Sequence, residues 1–199
     1  MEDLSSDHDL FCCYATPSSE YLRTGNFHST RAAKTHQMID DQEYDFQYME
    51  IGHLMNLLIK GNINAIWAVC SPIVHEENSI RVALANIVKA NLSRTSCASI
   101  NGMAHSQLND VIKRAAVKDP MKSKVTACRT LMFGSNMLEG NGLKFEPVTG
   151  DVTPKRIGEE FRRLELAKEN SPLPEEVNEK EFRDFLFGLR MDEIVGNVI

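Results

Sequence analysis

Ser5-Ser6-Asp7-His8-Asp9-Leu10-Phe11-Cys12-Cys13 is the stretch whose reading decides the fold. Two carboxylates at i and i+2 lead into an apolar run that continues to Tyr14. In a β-strand the side chains alternate between faces, so Asp7 and Asp9 project from the same one. Carboxylates held side by side repel each other, and a divalent cation such as Mg²⁺, which prefers hard oxygen ligands, removes that repulsion. The stretch therefore predicts an Asp-x-Asp metal site at the end of a strand. The plainer reading is an exposed acidic turn before the strand. For an isolated Asp-x-Asp the plainer reading is the commoner one, so the surrounding sequence has to decide.

Working outward, the strand stops before Thr16-Pro17, and Ser18 to Ala33 is polar, with Gly25 and Asn26, as an irregular loop would be. Around Gln37–Tyr48 the pattern is again extended. Tyr44, Phe46 and Tyr48 fall on one face, Asp45 and Gln47 on the other, which predicts a second strand carrying Asp45 outward from the core. The period then becomes helical. Ile51, Leu54, Met55 and Leu58 stand at i, i+3, i+4 and i+7, and Gly61 follows as a C-cap glycine would. Asn62 caps a short helix with Ile63, Ile66, Trp67 and Cys70 inward, closed before Ser71-Pro72. Further helices are predicted from Ser79, with Ile80, Leu84, Ile87 and Val88 inward, over about 98–116, and over 122–139. Thr153-Pro154 reads as a cap followed by an N1 proline. Ser171-Pro172-Leu173-Pro174 reads as a rigid linker, and Asn178-Glu179-Lys180-Glu181 has capping-box spacing ahead of Phe182, Phe185, Leu186 and Leu189. The fold class is α+β: a small mixed β-sheet at the N-terminus, then a mainly helical body.

Composition bounds the function. At 199 residues the chain can bury one sizeable core, and its 42% hydrophobic and 25% charged content is that of a globular protein. A net charge of -6 argues against non-specific binding to a polyanion. The five cysteines, Cys12, Cys13, Cys70, Cys97 and Cys128, form no C-x-x-C pair and sit mostly in apolar contexts, as in a reducing compartment. No apolar run approaches the roughly 18 residues of a membrane span, and the acidic N-terminus lacks a signal-peptide pattern. The expectation is a cytoplasmic protein with no membrane partner.

With Asp45, three carboxylates lie on candidate strands, and two strands of one sheet can bring all three to one end of it. Such a cluster can hold two divalent ions that clamp the attacking and leaving oxygens of a phosphoryl displacement. Here the sequence resembles the DNA polymerase β-like nucleotidyltransferases, and more closely their small predicted-nucleotidyltransferase branch of bacteria and phages. The likeness is carried by Ser6-Asp7-x-Asp9, then Asp45 ahead of a helix, Gly61-Asn62-Ile63-Asn64, Ser71-Pro72, and a later helix with Lys122, Lys124 and Arg129. The Ser171-Pro172-Leu173-Pro174 linker extends it over nearly the whole chain. The resemblance implies a metal-dependent transfer of a nucleoside monophosphate from an NTP to an acceptor hydroxyl, on nucleic acid or protein. It implies Mg²⁺ or Mn²⁺ on Asp7, Asp9 and Asp45, with Asp45 also available as a base, and it divides the chain into a truncated nucleotidyltransferase-like core over 1–75 and a helical region over 76–199.

One departure stands out. Members of that superfamily carry a Gly-Ser pair on a helix ahead of Asp-x-Asp, where helix N-terminal amides grip the triphosphate. Only Met1–Leu4 precede Ser5, so that grip is expected to be absent and transfer weak, with Ser5 and Ser6 as partial substitutes or simple caps. The alternative expectation is a catalytically inactive protein that keeps the fold for binding or interaction. Lys122, Lys124 and Arg129 are the candidates for phosphate contact, against the usual reading of helix lysines as solvated. His8 should point away from the carboxylates, and His28, His36, His53, His75 and His105 share no metal-like spacing. Trp67 reads as core, Asn62 and Asn64 as caps, and the cysteines have no neighbouring His to mark a nucleophile.

Overall fold

The computed structural model describes residues 8–20, 32–113 and 120–196. The chain divides into two compact units, one of Met1–Leu57 with Glu179–Ile199 and one of Leu58–Asn178.

The first unit is built on a three-stranded sheet: β1 (His8–Tyr14), β2 (Ala32–Ile39) and β3 (Gln42–Glu50), in the order β1-β3-β2. β1 runs parallel to β3 and β2 antiparallel to it, so the sheet is mixed, as the sequence predicts. The single extended stretch expected around Gln37–Tyr48 is in fact the turn and two arms of a hairpin. Asp40 and Asp41 form its two-residue turn with φ of 49° and 61°. Positive φ at both central residues matches the right-handed twist of the flanking strands, and Asp tolerates it better than most residues. β3 alternates as read: Tyr44, Phe46 and Tyr48 stack along one face, with ring centroids 6.0 and 5.9 Å apart. Of the expected loop from Ser18 to Ala33, residues 18–20 are helical and Ala32 and Ala33 belong to β2.

Helix α1 (Ile51–Ile59) follows β3 directly, and Ile51, Leu54 and Met55 are buried on its inward stripe. The last helix of the chain, α7 (Glu179–Gly196), returns to this unit. Its Phe182 is buried, while Phe185, Leu186 and Leu189 are only half-buried. Its Arg190 reaches Glu50, whose side chain is fully buried at the end of β3. The Glu50 carboxylate also accepts from the Gly52 amide at 2.6 Å and the Thr16 amide at 3.4 Å, and Arg190 donates to the Thr16 carbonyl. A charge removed from water this completely persists because it is both paired and hydrogen-bonded.

The second unit is helical: α2 (Ile63–Cys70), α3 (Ser79–Ala90), α4 (Ser96–Lys113), α5 (Pro120–Leu138) and α6 (Pro154–Glu169). The start signals act as read. Asn62 Oδ1 accepts from the Ala65 amide at 3.1 Å, and Thr153 Oγ1 from the Arg156 amide at 3.2 Å with Pro154 next in line. Gly61 has φ +65°, and a Cβ there would stand 2.8 Å from the Ser96 amide nitrogen, so the turn needs glycine twice over. On α3 the buried residues are Leu84, Ala85 and Val88; Ile80, expected inward, is exposed in the first turn of the helix. α4 packs on α5 and α5 on α6. The α4–α5 approach is close because Gly134 lacks a side chain: a Cβ would meet Ile100 at 2.6 Å. Ile100, Ala104, Cys128, Leu131 and Met137 are fully buried in this unit.

Candidate functional site

The sheet brings two of the three predicted carboxylates together. In the parallel β1–β3 register, Asp9 is the partner of Asp45. Register partners on adjacent strands lie on one face, about 4.8 Å apart across the sheet. Both side chains are exposed, Asp45 to about half its surface (49%). Asp7, Ser5 and Ser6 lie outside the described residues.

The same row continues onto β2, where His36 is the register partner of Asp45. His36 Nδ1 stands 2.9 Å from Asp45 Oδ1, and its Nε2 stands 2.9 Å from Glu43 Oε1. Three strands thus present Asp9, Asp45 and His36 side by side, with Glu43 two residues before Asp45 on the same face. His36 and Glu43 are what reading the sequence missed. The signal was present: His36 and Asp45 are equidistant from Asp40-Asp41, and recognising that turn would have paired them. Asp-Asp is a weaker hairpin signal than Asn-Gly or Asp-Gly, so the turn passed as part of one strand.

Two hard-oxygen donors in register and open to solvent match a small divalent cation in chemistry and charge. Among the described residues, no group of three or more His, Cys, Asp or Glu side chains is arranged to hold a metal ion. The described site is therefore an Asp9–Asp45 pair.

Lys122, Lys124 and Arg129 all lie on α5, in the second unit, whereas Asp9 and Asp45 lie in the first. Lys122 and Arg129 are exposed and Lys124 half-buried. The Arg129 guanidinium sits over the Trp67 ring, 5.5 Å from its centroid, which engages its charge with an aromatic face. Trp67 also meets Phe133 edge-on at 5.5 Å, in keeping with its reading as a packing residue. An open groove of about 530 Å³ along α6 is lined by Glu139, Glu159, Arg162, Arg163, Leu166, Ala167 and Asn170, and holds none of the candidate residues. Its Arg163 is engaged by Glu139 at 2.7 Å and Asn136 at 2.9 Å. Burial pushes the Cys70 thiol up to about 11, so it is no thiolate nucleophile at neutral pH. Among the described residues, no helix is long and apolar enough to cross a membrane.

The family described as RlaP, RNA repair pathway DNA polymerase beta family, matches residues 1–186. Among solved structures, the chain is similar to a nucleotidyltransferase-like protein from Exiguobacterium sibiricum 255-15, at 15% identity and a TM-score of 0.31. That likeness covers 93% of this chain and 61% of the other, so the chain spans under two thirds of its structural neighbour. No curated protein matches the sequence.

Proposed function

This chain belongs to RlaP, the RNA repair pathway DNA polymerase beta family of polymerase β-like nucleotidyltransferases, and on that premise we propose that it is a metal-dependent nucleotidyltransferase. The reaction moves a nucleoside monophosphate from an NTP to an acceptor hydroxyl. The acceptor oxygen attacks the α-phosphorus, the bond to the bridging oxygen breaks, pyrophosphate leaves, and the hydroxyl proton passes to a base. The single observation that carries this reading is the in-register pair Asp9 and Asp45 on adjacent parallel strands.

Asp9 and Asp45 are the residues that would hold Mg²⁺ or Mn²⁺, with Asp7 as a third donor. Bound there, divalent ions would supply charge neutralisation for the triphosphate and acidify the acceptor hydroxyl. The chain's own part is to keep two anionic oxygens adjacent before substrate arrives, which lowers the reorganisation required at the moment of reaction. Asp45 is the base in this scheme, since its carboxylate is open to solvent on the same row. The family's description makes an RNA hydroxyl the first acceptor to test, with protein hydroxyls second. Phosphate contact by Lys122, Lys124 and Arg129 is a separate proposal, tested by removing each charge.

The test is incorporation of α-labelled NTPs with Mg²⁺ or Mn²⁺ into mixed RNA and protein acceptors. Transfer by the wild type is expected to fall at least about 100-fold in Asp9→Asn and in Asp45→Asn, since each removes one anionic donor with little change of volume. Metal-dependent labelling that survives both substitutions contradicts the mechanism. Wild-type protein that transfers nothing to any acceptor supports instead a fold retained for binding.

A further inference from the structure

We propose that His36 is a positioning residue for Asp45, held between Glu43 and Asp45 so that one Asp45 oxygen is fixed and the other is turned toward Asp9. The proposal rests on the reading of Asp9 and Asp45 as a cation site and deepens it.

An aspartate on an exposed strand has a loosely defined terminal torsion, because a carboxylate rotates about an sp³–sp² bond with a broad preference. Half of the Asp45 side chain faces solvent, and packing alone does not set its plane. His36 supplies what packing does not. It stands directly across from Asp45 in the β2–β3 register, and its Nδ1 is 2.9 Å from Asp45 Oδ1. The ring cannot swing away freely, because its other nitrogen is 2.9 Å from Glu43 Oε1. Both contacts are hydrogen bonds when each ring nitrogen carries a hydrogen. β3 lies between β1 and β2 in the sheet. An Oδ1 engaged from the β2 side lets Oδ2 turn toward the β1 side, the flank on which Asp9 sits. Glu43, His36 and Asp45 thus form a clamp across one hairpin, with its open end facing the second carboxylate. Partners that orient a metal ligand in this way typically carry 10- to 100-fold of metal affinity.

This arrangement separates a positioning role from a merely electrostatic one by sign. A ring with both nitrogens protonated would repel a metal ion, so if charge were all that mattered, deleting the ring would tighten binding. If position matters, deleting it loosens binding.

The experiment is a Mn²⁺ titration of the full chain, following free Mn²⁺ by electron paramagnetic resonance, with thermal unfolding of each variant to confirm that it is folded. His36→Ala is expected to weaken Mn²⁺ binding about 10-fold or more. His36→Asn, whose amide nitrogen falls near the place of Nδ1, is expected to recover most of that loss. His36→Gln, whose amide nitrogen falls nearer Nε2 and Glu43, is not. Unchanged or tighter binding in His36→Ala overturns the proposal, as does equal recovery, or none, in the Asn and Gln variants. The control is Asp45→Asn. Mn²⁺ binding that is absent in the wild type, or unchanged in Asp45→Asn, overturns the cation-site reading and the His36 role with it. Binding lost in Asp45→Asn but intact in His36→Ala removes the His36 role alone.

Discussion

Asp9 and Asp45 show how far single residues can be read. The register of Asp9 with Asp45 was legible so far as both were read onto strands, since two strands of one sheet can carry their carboxylates to one end of it. The alternation of Tyr44, Phe46 and Tyr48 against Asp45 gave the correct face. His36 was not legible, since its partner is reached only through the hairpin turn, and a lone histidine carries no period. Ile80 was misread for another reason. It satisfies helical spacing with Leu84 and Val88, but it lies in the first turn of α3, and the end of an amphipathic stripe often runs past the surface that buries it. Elsewhere in the second unit the apolar reading held at Leu131, which is completely buried on α5. Leu131→Ala is expected to cost about 2–5 kcal/mol, the transfer term plus the cavity left in a packed interior. Urea unfolding of the two proteins measures it, and a cost below about 1 kcal/mol would mean that the α4–α5 interface collapses into the space.

Elements declare themselves through their ends. Gly61, Asn62, Thr153 and Pro154 act in the structure as punctuation, because each signal is local chemistry: a positive φ, a side-chain oxygen over free amides, a ring with no N–H. The Asp40-Asp41 turn is equally local but uses residues that serve elsewhere as plain surface charge. Longer-range pairing has no such signature. Nothing within α7 alone specifies that its Arg190 meets Glu50 at the end of β3, some 140 residues earlier. That pair makes a sharp prediction at this scale. Arg190→Met takes the guanidinium away from the buried Glu50 carboxylate and is expected to destabilise the sheet-bearing unit by about 3–5 kcal/mol. Adding Glu50→Gln should restore part of the loss, because the buried charge that Arg190 neutralised is gone. Denaturant unfolding combined with amide exchange on β3 distinguishes the cases. A double variant no more stable than Arg190→Met would mean that Glu50 is not the group left unsatisfied.

At the scale of the molecule, the α+β class followed from the change of period near Ile51, where alternation gives way to helical spacing. The return of α7 to the unit that holds the sheet is a non-local event, and the charged sequence after Asn178 encodes a helix without encoding where it docks. Family membership over residues 1–186 and the paired carboxylates of the sheet support one central proposal, that this edge of the sheet would hold divalent cations. Diffraction from crystals grown with Mn²⁺ and a non-hydrolysable NTP, recorded at the manganese edge, tests it directly. The account predicts anomalous density about 2.1 Å from a carboxylate oxygen of both Asp9 and Asp45. Density that touches neither carboxylate, or none in the sheet at all, would contradict it.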